Sequence, residues 1–379
     1  MNQPMLALGD PVLGEEEKTA LCAVIDSGWL TMGDRVGAFE QAFADLHGVA
    51  SAVAVNSCTA ALHLCLCAFD IGPGDEVLVP AITFVATANA VIYVGATPVF
   101  VDVEGPERPH LSLQDAAEKC TDKTRAVIVM HYGGYPVDLP AWREFADERG
   151  LILIEDAAHS PAIEEVGHWG DGSAFSFFSN KNMTTAEGGM VLSPSPEVLA
   201  RVRQLRSHGM TATTIERHRG HAYSYDVTAL GYNYRLDELR AAIGLVQLAR
   251  LPAWTTRRRR LTDSYRRFFS ELLPEVHFPF AAEEHTAAHI LPVLLPDDAD
   301  RQNIMAALRA QGIQSSIHYP PIHHFAYYRK RFPSTVLPNS DAFFSRELTL
   351  PLHPRMTEEE VERVVKALQK ALREEKHDL

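Results

Sequence analysis

The chain has 379 residues, 46% hydrophobic and 22% charged, a balance that suits a globular enzyme and excludes long disordered or low-complexity stretches. A formal net charge of −14 argues against binding to nucleic acid or to an anionic membrane. At this length two domains, or one large domain with an appendage, are expected.

The opening MNQPMLALGDPV has no basic start followed by an apolar core, so no signal peptide is expected. No apolar run approaches the roughly 20 residues needed to span a bilayer. The five cysteines, Cys22, Cys58, Cys65, Cys67 and Cys120, are odd in number and lack CxxC spacing. They fit reduced thiols and a cytoplasmic location. Cys65 and Cys67 fall in an apolar helical stretch and are expected to be small buried hydrophobes.

In chain order, the pattern predicts helices over 14–27 and 35–47, broken by Ser27-Gly28-Trp29 and Gly33-Asp34. A short β-rich run follows at 51–55, then a mostly apolar helix at 58–69. Strands are predicted at 75–80, 97–103, 125–131 and 151–155, with helices at 84–93 and 138–149 between them. Nearly all-apolar strands alternating with helices indicate parallel strands covered on both faces, so the class is α/β. Beyond about residue 250 the texture changes, with a charged helix at 253–274, Pro-rich segments, a strand at 289–295 and helices at 301–311 and 357–374. A boundary is expected there, giving units 1–250 and 251–379. The basic run Arg257 to Arg260 is read as a solvated helix face.

Five segments carry chemistry. Ala174 to Val191, AFSFFSNKNMTTAEGGMV, sets Phe175, Ser176, Phe177, Lys181, Gly188 and Gly189 in an apolar, Gly-bounded loop. A lone lysine is usually a surface residue, but one in such a loop can be deprotonated by desolvation. Glu155-Asp156-Ala157-Ala158-His159 puts a carboxylate at the carboxyl end of a buried strand, where α/β folds meet ligands. Asn56-Ser57-Cys58-Thr59-Ala60-Ala61-Leu62 is a strand end turning into a helix start, a place that favours phosphate, though alone it reads as a simple cap. Pro80 to Thr87, PAITFVAT, places the aromatic Phe84 in a loop, and Gly231-Tyr232-Asn233-Tyr234-Arg235 leads into a further helix.

Together these segments resemble the DegT/DnrJ/EryC1/StrS aminotransferases, the sugar-aminotransferase branch of the fold-type I pyridoxal-phosphate enzymes. The resemblance runs from about residue 10 to 370. It implies a large cofactor-binding domain with a mostly parallel mixed sheet covered by helices, and a smaller α+β C-terminal domain. It implies pyridoxal 5'-phosphate as cofactor, Lys181 as its Schiff-base lysine and Asp156, 25 residues earlier, as the anion against the pyridine nitrogen. Ala158 would pack on one ring face and Phe84 on the other, with His159 near the phenolic oxygen. Cys58, Thr59 and Ser176 would hold the phosphate, although the family has glycine where this chain has Cys58. Asn233 would reach the phosphate bound by a second copy, making the active unit a homodimer with shared sites.

The resemblance further implies an amino-acid donor, L-glutamate by analogy, and a nucleotide-linked keto-deoxysugar acceptor, with a 4-keto-6-deoxyhexose favoured. Lys181, once freed, would move a proton between the donor Cα and the cofactor C4′. A keto-cyclitol acceptor is the nearest alternative. Related sugar dehydratases replace the lysine with histidine, and a non-catalytic regulatory relative would lose the lysine or aspartate; both residues are present. Weaker matches lie at Ser27-Gly28-Trp29-Leu30-Thr31, His318-Tyr319-Pro320-Pro321 and Leu350-Pro351-Leu352-His353-Pro354. His318, His323 and His324 have no nearby Cys or Asp at ligand spacing, so no metal is expected.

Overall fold

The computed structural model describes residues 5–211, 225–282 and 285–377. Helices α1 (Glu15–Ser27) and α2 (Asp34–Leu46) open the chain. α1 ends at Gly28, whose φ of 68° is the left-handed stop that glycine supplies.

The strands are β1 (Ala52–Val55), β2 (Glu76–Pro80), β3 (Thr97–Val101), β4 (Val103–Gly105), β5 (Arg108–Leu111), β6 (Thr124–Met130), β7 (Ile152–Asp156), β8 (Gly172–Ser176), β9 (Gly189–Leu192), β10 (Leu291–Leu294) and β11 (Glu347–Leu350). Between them run α3 (Cys58–Ala68), α4 (Val85–Tyr93), α5 (Leu113–Lys119), α6 (Leu139–Arg149) and α7 (Pro196–Leu205). The seven-stranded sheet has the order β1-β9-β8-β7-β6-β2-β3. Only β9 runs against its neighbours; the other pairings are parallel.

Period-two alternation sorts the strand residues into two cores. Ala52, Ala54, Leu78, Val127, Val129, Leu153 and Phe175 face α2 and α6, packing on Phe39, Phe43 and Trp142. Val53, Val55, Val77, Val79, Ile128, Ile154 and Ala174 face α3 and α7. Both faces are covered, which is why the strand segments read as nearly continuous apolar runs.

The expected helix over 253–274 is the second half of a longer one, α8 (Glu238–Leu272), which carries Pro252 inside it. Proline costs a helix interior roughly 3 kcal/mol, but packing outweighs it here. Leu248 and Leu251 seat in the first core, and Leu261, Tyr265 and Phe269 in a third. That third core is built from residues 261–372 together with Leu6, around β10 and β11 paired antiparallel. It also takes in α9 (Arg301–Ala310) and α12 (Glu358–His377); α10 (Ala326–Arg331) and α11 (Pro338–Arg346) fill the stretch between. The basic run is a solvated face only in part: Arg257 and Arg260 are exposed, but its middle turns inward. Arg258 is buried, its Nη1 donating to the carbonyls of His289 and Leu352 at 3.2 and 2.8 Å, and Arg259 Nε donates to the Thr286 carbonyl. Those carbonyls lie in loop backbone outside any strand or helix, and the arginines satisfy them. All five cysteines are free, with Cys65 buried. Among the described residues no helix is long and apolar enough to cross a membrane.

Candidate active site

The carboxyl ends of β1, β7 and β8 open onto one cavity of about 400 Å³, within the range of ligand pockets. Cys58, Thr59, Phe84, Asp156, Ala158, His159, Ser176 and Lys181 all line it, and so do His318 and Tyr319.

The turn after β1 is built to leave donors over. Ser57 caps α3, its Oγ accepting from the Ala60 N–H at 3.1 Å, and the Ala61 N–H goes to the Ser57 carbonyl. The Cys58 and Thr59 amides precede the first intrahelical bond, with the helix dipole behind them, so they suit an anion. β9 passes tight against this turn at Gly189. A Cβ there would stand 2.6 Å from the Ser57 carbonyl carbon and 2.7 Å from the Cys58 nitrogen, so no larger residue fits. Cys58 turns its thiol to the sheet, Sγ donating to the Ala174 carbonyl at 3.6 Å, and burial pushes that thiol well above its usual pKa.

Asp156 closes β7, between Met130 of β6 and Ala174 of β8. Its Oδ2 accepts from Thr87 Oγ1 at 2.7 Å and its Oδ1 from the Ala158 N–H at 3.2 Å. Burial raises its pKa, while Thr87, Ala158 and the charge of Lys181 pull it back.

Lys181 sits in the loop between β8 and β9, its N–H on the Phe178 carbonyl at 3.0 Å. The side chain borders the cavity while its amine is shielded. Burial lowers the amine's pKa from 10.5 to about 8, against the pull of Cys58 and Asp156. Near pH 7 roughly a tenth of such an amine is neutral, against well under a thousandth for an ordinary lysine. Ser176 ends β8 beside it and is buried.

His159 is buried, Nδ1 accepting from the Gly133 N–H at 3.2 Å and Nε2 lying 3.0 Å from the Tyr319 hydroxyl. Burial, then Lys181, hold its pKa well below the imidazole norm. Phe84 is 57% exposed, its ring 6.1 Å from that of Tyr319. Asn233 is not among the residues of this cavity. Its side chain is exposed, and its carbonyl accepts from Asn56 Nδ2 at 3.3 Å beside the Ser57 turn.

Several residues here were given no role from sequence. Thr87 was visible as the i+4 partner of Thr83, and the two hydroxyls lie 2.8 Å apart. His318 and Tyr319 belong to a matched segment far along the chain. His289 lies where a strand was predicted, so its pattern reads as core, yet its Nε2 is 3.4 Å from Lys181 Nζ. One expectation needs correcting: His323 and His324 do have an acidic partner, because the fold brings Asp341 of α11 within 3.3 and 2.8 Å of their Nε2 atoms. The 16 residues between His324 and Asp341 hide that pairing from any local spacing rule.

A buried amine of lowered pKa, a buried carboxylate short of donors, and a helix start with open amides fit pyridoxal phosphate: an aldehyde, a basic ring nitrogen and a phosphate.

Comparison with known proteins agrees. The model of the DegT/DnrJ/EryC1/StrS aminotransferase family matches residues 11–369. PseC of Helicobacter pylori, an aminotransferase involved in the biosynthesis of pseudoaminic acid, superposes with a TM-score of 0.90 at 28% identity, over 98% of this chain and 100% of that one. Spr1654 of Streptococcus pneumoniae, in its pyridoxal-phosphate form, gives 0.89 at 27%, over 98% and 99%. DesI, solved in the presence of its TDP-sugar product, gives 0.88 at 30%, over 100% and 95%. This chain therefore belongs to the DegT/DnrJ/EryC1/StrS aminotransferase family, the pyridoxal-phosphate-dependent sugar aminotransferases.

Proposed function

We propose that the chain moves an amino group from L-glutamate to a nucleotide-linked keto-deoxysugar, a 4-keto-6-deoxyhexose in preference to a keto-cyclitol. The observation that carries this is the placing of Lys181 and Asp156 on one cavity with the open amides of Cys58 and Thr59. Pyridoxal phosphate, when bound, supplies an electron sink next to the donor's α-carbon. Lys181 is the residue that would attach it and then, as a free amine, would move a proton between the donor's α-carbon and the cofactor's C4′. Asp156 would hold a proton on the ring nitrogen; Thr87 and Ala158 keep the carboxylate oriented. Cys58, Thr59 and Ser176 bind the phosphate. Ala158 and Phe84 would bound the ring, and His159 would address its phenolic oxygen. The nucleotide-sugar acceptor is supported by the relationship to DesI, and the exposed Asn233 by its place beside the phosphate turn, from which it would serve a second copy in a cytoplasmic homodimer. Residues 1–250 would form the cofactor-binding unit and 251–379 the smaller one.

The test is spectroscopic. Pyridoxal phosphate added to the wild type should give the visible band of a lysine-bound cofactor, and L-glutamate should bleach it. Lys181→Ala should show neither change. The bleached enzyme should regain the band on adding a nucleotide-linked 4-keto-6-deoxyhexose, and more slowly or not at all with a keto-cyclitol. A band unaffected by removing Lys181 would sink the assignment. Recovery only with the cyclitol would move the acceptor.

A further inference from the structure

One hydrogen-bond partner is seen for the Lys181 amine among the described residues, and it comes from a distant element. His289 lies just before β10, its Nε2 3.4 Å from Lys181 Nζ. The other contacts of the ring fix where its hydrogen is. Asn182 donates Nδ2 to the Ala287 carbonyl at 2.8 Å, and a carbonyl can only accept. That orients the amide and puts Asn182 Oδ1 3.0 Å from His289 Nδ1. An amide oxygen accepts, so Nδ1 carries the hydrogen. Burial, then His159 and Lys181, keep the ring neutral. Nε2 is left as a lone pair facing the lysine. The backbone around the ring is pinned as well, the His289 and Ala287 N–H groups donating to Gly133 and Gly134 at 3.0 and 2.9 Å.

We propose that His289, its tautomer set by Asn182, is a positioning residue that accepts one N–H of the Lys181 amine and leaves the amine's lone pair for the cofactor. This rests on Lys181 being the attachment lysine. The opposite tautomer would point an N–H at the amine, occupy its lone pair and mask the nucleophile. Asn182, the neighbour of the lysine in sequence, thus acts on it through a residue 107 positions away.

The test follows the rate at which pyridoxal phosphate attaches covalently to the full-length protein stripped of cofactor, as a function of pH. In the wild type the rate should rise with pH through the amine's titration. His289→Phe should lower the limiting rate at high pH by roughly tenfold, the order expected for a mis-aimed nucleophile, and shift the midpoint down, since an acceptor of the ammonium is lost. His289→Gln can turn N–H to Asn182 and oxygen to Lys181, so it should restore both. An unchanged His289→Phe, or a His289→Gln no better than it, overturns the proposal. Nitrogen-15 NMR of the wild type needs no variant to fold well: a neutral ring protonated at Nδ1 supports the proposal, and one protonated at Nε2 overturns it. Covalent loading that survives Lys181→Ala would instead remove the reading beneath it, whereas loading through Lys181 with an unchanged His289→Phe would remove the positioning role alone.

Discussion

Glu155 and Asp156 are consecutive residues of β7, both carboxylates and both buried, and the strand's alternation sends them to opposite faces. Glu155 is saturated. It accepts from the Gly167 and Gly170 N–H groups at 2.9 and 2.7 Å and from Ser173 Oγ at 3.1 Å. His131 Nε2 adds a fourth contact at 3.0 Å, its other nitrogen taking the Val137 N–H. Asp156 has two donors and a cavity in front of it. Burial pushes both acids up; His131 and the two glycine amides reverse this for Glu155, which ends below its usual range, whereas Asp156 stays above. A buried charge with all its bonds made belongs to the fold, and one with bonds to spare is ready for a ligand.

Substitution should separate the two. Glu155→Ala strands the His131 ring and three donors in the interior, and we expect about 3–5 kcal/mol of destabilisation, the cost of breaking a buried pair, read by denaturant unfolding. Asp156→Asn keeps shape and should unfold close to wild type, but turnover should drop by about 10²–10³-fold, as when one preorganised electrostatic partner is lost. Wild-type turnover in Asp156→Asn, or wild-type stability in Glu155→Ala, would erase the contrast.

Acidity should separate them again, with opposite signs. The folded pKa of Glu155 is depressed, so its contribution is present above the unfolded value and is lost as pH falls through the folded one. The folded pKa of Asp156 is raised. The cofactor-free fold then binds more protons than the unfolded chain between the two values, and stability declines as pH climbs across that window. Thermal unfolding of the cofactor-free protein should therefore show Asp156→Asn gaining on wild type as pH rises from about 4, the unfolded carboxylate value, at about 1.4 kcal/mol per unit of displacement. A gap that does not change with pH would mean Asp156 is no strained acid.

Much of this contrast was legible in the sequence, and the rest was not for physical reasons. The apolar run ending in Glu155-Asp156 marks a covered strand with a carboxylate at its carboxyl end, and the lysine loop marks itself by composition. Pattern alone does not say which of two adjacent acids is saturated, because Gly167, Gly170 and Ser173 reach Glu155 only after the chain turns back. His289 was invisible for the same reason: its partners, Asn182 and Lys181, lie more than a hundred residues away. The helix predicted at 253–274 is longer than its pattern shows, since packing along both halves of α8 carries it through Pro252.

The smallest effects test how finely the phosphate turn is set. Gly189→Ala places a methyl group inside contact distance of the Ser57 carbonyl, and the turn must shift. Overpacking of this kind costs about 1–3 kcal/mol, so cofactor affinity should fall by roughly tenfold or more while the sheet remains. Cys58→Gly restores the residue usual in the family and should do much less. The thiol is already engaged with the Ala174 carbonyl, so removing it should open little new room for the phosphate. Stability should drop by about 0.5–1 kcal/mol, the ordinary cost of glycine in a helix, and cofactor affinity, followed by fluorescence titration, should move by less than about threefold. A large gain in affinity would show that the cysteine side chain intrudes on the phosphate, and that the turn in this chain trades binding strength for the Sγ contact to the sheet.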